Sequence, residues 1–121
     1  MRNRIQFDEQ LEVIDQLYNV EVREKGDYSY LLFYNEEKEK VVLKFHSQEL
    51  VMTRFSKPNT IMRFLKKNDS LAYIPTPMGI QEFIIQTSRY EVEGQKIHLD
   101  YQLQNKEGLS FASYQLEITW G

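Results

Sequence analysis

Arg54 and Arg63 are the residues of this chain whose type and spacing most suggest chemistry. They flank Lys57-Pro58-Asn59, a turn-like triplet, and both segments beside it are rich in strand-forming residues. A tight hairpin pairing Ser56 with Ile61 sets Arg54 opposite Arg63. Like charges facing each other across a ladder repel, so such a pair requires a carboxylate, such as Glu36, or a bound anion. The planar guanidinium fork grips either one bidentately. The competing reading is two arginines spread apart in water, or a longer loop with a different register.

Five tyrosines carry the second candidate chemistry. Tyr30, Tyr34, Tyr73, Tyr101 and Tyr114 present apolar rings with hydroxyl tips, suited to lining a cavity for a small amphipathic guest. Ordinary tyrosine packing is the plainer account. The loop Tyr73-Ile74-Pro75-Thr76-Pro77-Met78-Gly79 is stiffened by two prolines, and Gly79 is free to take positive φ. Such a loop either rims a pocket or turns a barrel corner.

Other constellations point to less. Arg54, Lys57, Arg63, Lys66 and Lys67, interleaved with Phe55 and Phe64, have the outline of a single-strand-binding surface. A lysine-protected strand edge is the favoured account, and the net charge of −3 disfavours nucleic acid as a partner. His98 lies two residues from Asp100, but neither it nor His46 has the convergent partners of a metal or general-base site. The chain has no cysteine, no phosphate-binding glycine loop and no nucleophile elbow. The expectation is therefore no enzyme, no metal and no cofactor.

What must position these side chains is a set of short strands. Turn clusters recur at Gly26-Asp27, Asn35 to Lys38, His46 to Gln48, Lys57 to Asn59, Lys67 to Ser70, Pro75 to Gly79, Glu93-Gly94 and Asn105 to Gly108. Between them run segments rich in Val, Ile, Tyr and Phe, a spacing that signals a sandwich or barrel. Ile97, Leu99, Tyr101 and Leu103 alternate with polar residues, as do Tyr114, Leu116, Ile118 and Trp120, which predicts a closing hairpin. Tyr28–Tyr34, Val41–Phe45, Leu50–Phe55, Thr60–Leu65, Leu71–Ile74 and Phe83–Thr87 are further strand candidates. Leu11, Ile14, Leu17 and Tyr18 fall on a helical stripe before Val20 and Val22 resume period two. One long bent strand is the reading there, with a short helix as rival.

With 121 residues, 41% hydrophobic and 27% charged, the chain reads as one domain spanning 1–121. It shows no signal-like apolar stretch and no segment of about 20 apolar residues, so a cytoplasmic protein without membrane contact is expected. Many antiparallel strands in sequence must hide their edges, and closure into an up-and-down barrel does so. The fold class expected is all-β, a single antiparallel barrel of about eight to ten short strands.

The order of several segments adds a resemblance. Tyr34-Asn35-Glu36-Glu37, Val51-Met52-Thr53-Arg54, Met62-Arg63-Phe64, Tyr73 to Gly79 leading into Phe83 to Thr87, and the closing pair from Ile97 and from Leu116 resemble the YwiB-like family. These are small bacterial proteins of unassigned function. The resemblance runs from about Val20 onward and implies a barrel related to the calycins, the superfamily of lipocalins and fatty-acid-binding proteins. It carries no catalytic residues. The resulting expectation is a non-enzymatic module binding a small anionic or amphipathic ligand through Arg54, Arg63, Glu36, Tyr34, Tyr73 and Tyr101. The alternative is an interaction protein with a filled barrel, using its outer face or forming a homodimer. An enzyme built on interior carboxylate and arginine groups is the third reading.

Overall fold

The computed structural model describes residues 1–7, 12–107 and 110–121. Eleven strands follow one another: β1 (Arg2–Phe7), β2 (Glu12–Leu17), β3 (Glu21–Lys25), β4 (Tyr28–Tyr34), β5 (Lys40–His46) and β6 (Glu49–Phe55). The remainder are β7 (Thr60–Leu65), β8 (Ser70–Thr76), β9 (Gly79–Glu93), β10 (Lys96–Gln104) and β11 (Ser110–Thr119). No helix occurs among the described residues. All strands join one antiparallel sheet in the order β2-β1-β11-β10-β9-β8-β7-β6-β5-β4-β3. From β3 to β11 this is a meander, and β1 then pairs with β11, Arg2 opposite Thr119.

The sheet curls because most of its apolar side chains lie on one face. Along β10, Ile97, Leu99, Tyr101 and Leu103 are all buried, and so are Val41, Leu43 and Phe45 of β5 and Met62 and Phe64 of β7. Strand alternation places these on one side, and with no second layer available the sheet must bury that side against itself. The product is a half-barrel. Opposite walls meet where Phe64 packs on Tyr101, with ring centroids 4.6 Å apart, and where Phe45 meets Trp120 at 5.5 Å. Tyr90, reaching across from β9, donates its hydroxyl to the backbone carbonyls of His46 at 2.5 Å and Glu49 at 3.1 Å. Burial pushes that hydroxyl's pKa far up, so it remains a donor across the whole working pH range.

A bulge makes the curl possible within a single long strand. Asp100 pairs with Arg89 but Tyr101 with Thr87, so Ser88 is the extra residue and donates from its hydroxyl to the Asp100 carbonyl at 3.2 Å. The phase of alternation changes there. Phe83 and Ile85 face inward before the bulge, and Tyr90 does so after it. Only Phe83–Thr87, the middle of β9, was expected as strand from sequence, and beyond it the bulge at Ser88 shifts the phase.

The ambiguous N-terminal stretch is strand, as read, but not one continuous strand. β2 ends at Leu17 and β3 starts at Glu21, and the two lie at opposite edges of the sheet. Among the described residues no ladder joins them, so closure is made by the connection 18–20 instead. Tyr18 exchanges backbone hydrogen bonds with Met1, both 2.8 Å, and its ring lies 4.8 Å from that of Phe33 on β4. Leu11 lies outside the described residues. β1 had no counterpart in the sequence reading, since Arg2 to Phe7 is short and mostly polar. Its register against β11 and β2 is nevertheless regular, with Ile5 opposite both Leu116 and Ile14.

The Tyr90 hydroxyl makes the tie across the interior directly measurable. Tyr90→Phe keeps the ring and leaves two carbonyls without their donor, so unfolding in urea should show a loss of about 1–2 kcal/mol.

Candidate functional site

The turns 35–39, 56–59 and 77–78 all lie at one end of the half-barrel, because alternate hairpins of a meander turn at the same end. At this end the interior is not filled. A cavity of about 700 Å³ opens between β7, β8, β9, β10 and β11, lined by Met62, Ile74, Phe83, Tyr101, Leu103 and Tyr114. Thr76, Pro77 and Met78 form its rim. The rim turn is held by Thr76, whose Oγ1 donates to the Gly79 carbonyl at 2.7 Å and accepts from the Met78 amide at 3.2 Å. Gly79 takes φ of 107°, a conformation that a side chain would strain. The Tyr101 and Tyr114 rings stack, 4.9 Å apart and 20° from parallel, and make one wall of the cup.

Two polar side chains interrupt the inner face close to this cup. Arg54 and Thr60 are Cα partners across the β6–β7 ladder. Thr60 is only 4% exposed, and among the described residues neither its Oγ1 nor the buried Nε of Arg54 has a hydrogen-bond partner. The carboxylate beside Arg54 is that of Glu39, whose Oε1 lies 3.7 Å from Nε, beyond hydrogen-bond reach. That same oxygen accepts from Asn35 Nδ2 at 3.1 Å.

The hairpin register differs from the expected one, and this separates the two arginines. Arg54 faces Thr60 and Arg63 faces Val51, so Arg54 points inward with Met62 and Phe64 while Arg63 points outward. The cause is the turn. The Asn59 side-chain oxygen accepts from the Ser56 amide at 3.1 Å, and the Ser56 hydroxyl donates to the Pro58 carbonyl at 2.8 Å, which keeps residues 56–59 in the loop. An odd-numbered slip in register moves one arginine to the other face. On the outside, Arg63 pairs with Glu49 at 3.1 Å.

The remaining sequence candidates scatter. Tyr101 lies in the cup wall, and burial, with Tyr114 beside it, pushes its hydroxyl pKa well up. Tyr34 and Tyr73 are 65% and 56% exposed on the outer face, and Tyr30 shares the outward phase of Tyr34. Glu36 stands in the β4–β5 turn, where it accepts from the Tyr18 hydroxyl. Phe64, proposed above as a stacking platform, is buried in the core. The outward His98 pairs with Glu117, Nε2 to Oε2 3.2 Å, rather than with Asp100. Among the described residues no group of three or more His, Cys, Asp or Glu side chains is placed to hold a metal ion. None of their helices is long and apolar enough to cross a membrane. The loop Tyr73 to Gly79, offered above as a pocket rim, does supply Ile74, Thr76, Pro77 and Met78 to the cup, but sequence reasoning missed Met62, Phe83 and Leu103, because apolar inward positions look the same whether the space beside them is filled or open.

The family and the fold are matched by known sequences and a solved structure. The family model described as a domain of unknown function (DUF1934) matches residues 1–118. The chain belongs to that family. The crystal structure of the ywiB protein from Bacillus subtilis superimposes with a TM-score of 0.74, covering 99% of this chain and 87% of that one at 20% sequence identity. That likeness carries the fold. The match from residue 1 also takes in the N-terminal hairpin, where the resemblance in sequence was weakest. No curated protein matches the chain.

The latch at Tyr18 predicts a pH dependence. The hydrogen bond from Tyr18 lowers the Glu36 pKa below its ordinary 4.5. A depressed carboxyl stabilises the fold above its unfolded pKa, and that contribution disappears as pH falls through the folded value. Thermal melts of wild type and Tyr18→Phe should therefore differ most near neutral pH. The part of the difference carried by this contact should vanish as pH falls through the lowered Glu36 pKa and the carboxylate is protonated.

Proposed function

We propose that the chain is a non-enzymatic binding module that holds a small amphipathic molecule in the open cup of its half-barrel. The observation that supports this reading is the cup itself. Its volume of about 700 Å³ lies within the range of small-molecule sites, roughly 300–1,000 Å³, and its walls are mainly apolar with tyrosine hydroxyls among them. A barrel of this size is able to fill itself with its own side chains, so space left at one end of a well-packed interior has a use for a guest. The rigid Thr76 to Gly79 turn would then act as the lip over which a guest enters.

A neutral, polarity-sensitive dye such as Nile red tests the reading. Its emission should rise and shift to shorter wavelength on titration with the protein. Ile74→Trp fills part of the cup and should weaken the dye by about tenfold or more, since losing a few buried methylene contacts costs at least about 1.4 kcal/mol. Unchanged emission with wild type would overturn the reading.

A second reading has its own support on the opposite face. Ile61 and Tyr73 are direct partners across β7 and β8, with Leu71 and Ile80 nearby, and all four side chains are more than half exposed. Contiguous apolar surface of this kind suits a partner, such as a second copy of the chain. Sedimentation over a wide concentration range should then show a dimer that Tyr73→Lys converts to monomer. A wild-type monomer at every concentration removes the homodimer.

A further inference from the structure

The outer face of the sheet is uneven in charge, although the chain as a whole stands at −3. Arg23, Lys25, Lys40, Lys44 and Arg63 all stand outward on β3–β7. On that face Glu21 pairs with Arg23 at 2.5 Å and Glu49 with Arg63 at 3.1 Å. Lys25, Lys40 and Lys44 remain as its uncompensated charge. Aromatic rings occupy the positions between these cations. Tyr30 faces Arg23 across one ladder and Lys44 across the next, and Lys40 lies between Tyr34 and Phe55. The Lys44 ammonium sits 4.2 Å from the centre of the Tyr28 ring, and that of Lys40 lies 5.7 Å from the centre of Phe55. Tyr34 and Phe55 are 65% and 46% exposed. The outer face of β10 is different in kind, with His98 and Asp100 followed by Gln102 and Gln104.

A ligand complementary to this face carries negative charges for the lysines and flat rings for the aromatic side chains, both at a short repeat. Outward positions along one strand recur about every 6.8 Å, and neighbouring strands lie about 4.8 Å apart. An acidic peptide meets the lysines but leaves the rings unused. A nucleic-acid duplex supplies phosphates but keeps its base faces within its own stack. A single strand offers both, base on ring and phosphate on ammonium. The platforms on β4 are tyrosines, whose hydroxyls find in the ribose 2′-hydroxyl a partner that DNA lacks. We infer that the outer face of β3–β7 is a docking surface for single-stranded RNA. Tyr30, Tyr34 and Phe55 are its stacking platforms, and Lys25, Lys40 and Lys44 are its phosphate contacts. The surface lies across the sheet from the cup and stands independently of it. Net charge counted against nucleic acid in the sequence because composition gives the total and not its division between faces.

Fluorescence anisotropy with an end-labelled 12-nucleotide oligouridine tests the surface. Raising salt from 50 to 200 mM should weaken wild-type binding by about twentyfold, as expected for three phosphate contacts on a single strand. Tyr34→Ala should weaken binding by about fivefold or more at fixed salt and leave the salt dependence as it was, because stacking releases no counterions. Lys40→Gln with Lys44→Gln should instead flatten the salt dependence. All of these side chains are on the outer face, so unchanged thermal melts show that the variants remain folded. No binding by wild type, equal binding of a duplex of the same length, or full affinity in Tyr34→Ala combined with Tyr30→Ala overturns the inference. Displacement by polyglutamate at equal charge concentration overturns it too, since charge alone would then account for binding. Equal affinity for oligodeoxyuridine overturns the assignment to RNA.

Discussion

A single sheet with one apolar face has nothing to bury that face against except itself. In this chain every strand from β4 to β11 contributes inward apolar residues, and no helix of the described residues covers them. The free energy of burying Leu31, Ile85, Ile97 and Leu99 is therefore available only if the sheet bends until its own walls touch. The other features serve that bend. The Ser88 bulge supplies curvature within β9, Phe64 on Tyr101 and Phe45 on Trp120 set the distance between walls, and Tyr90 ties β9 to the β5–β6 turn. Where the walls diverge beyond these contacts, the interior opens, and the cup is the result.

A half-barrel leaves two strand edges, β2 and β3, that a closed barrel would have joined. They are not inviting templates for another chain. β3 reads Glu-Val-Arg-Glu-Lys, each residue exposed, and β2 carries Asp15 in a salt bridge with Arg2. Charged residues on an edge discourage strand addition, so the chain protects by charge what it does not protect by closure. The Tyr18 connection runs between these edges, and its contacts with Phe33 and Glu36 hold the gap at one separation.

Strand positions were legible in the sequence wherever alternation was unbroken. β10 was read almost to the residue from its period of two, and β4 from an apolar run between turn signals, while β11 begins at Ser110, four residues before the alternation from Tyr114 shows it. Three things escaped for separate physical reasons. The part of β9 beyond Thr87 was hidden by the bulge, which reverses the phase of the pattern at the residue where it occurs, and its start before Phe83 was not read as strand. β1 was hidden by its composition, because much of its stabilisation comes from pairing with distant β11 rather than from its own side chains. The hairpin register was hidden by Ser56 and Asn59, whose side chains bond to the backbone and lengthen the loop, and this decided that Arg54 and Arg63 face different ways. Arg54 and Tyr101 face inward while Tyr34, Tyr73 and Arg63 face out, a distinction that sequence alone does not carry without the register.

The placement of β1 against β11 has a consequence for the order of assembly. Every other ladder of the sheet joins strands that are neighbours in sequence, so each needs only a short loop to close. The β1–β11 ladder must bring together residues from the two ends of the described chain, Arg2 and Thr119 among them. Its entropic cost is the largest in the molecule, and it has no partner until the last strand exists. During synthesis from the N-terminus the first hairpin made is therefore the last to dock. The cup, one wall of which is β11, reaches its final shape only when that step is complete.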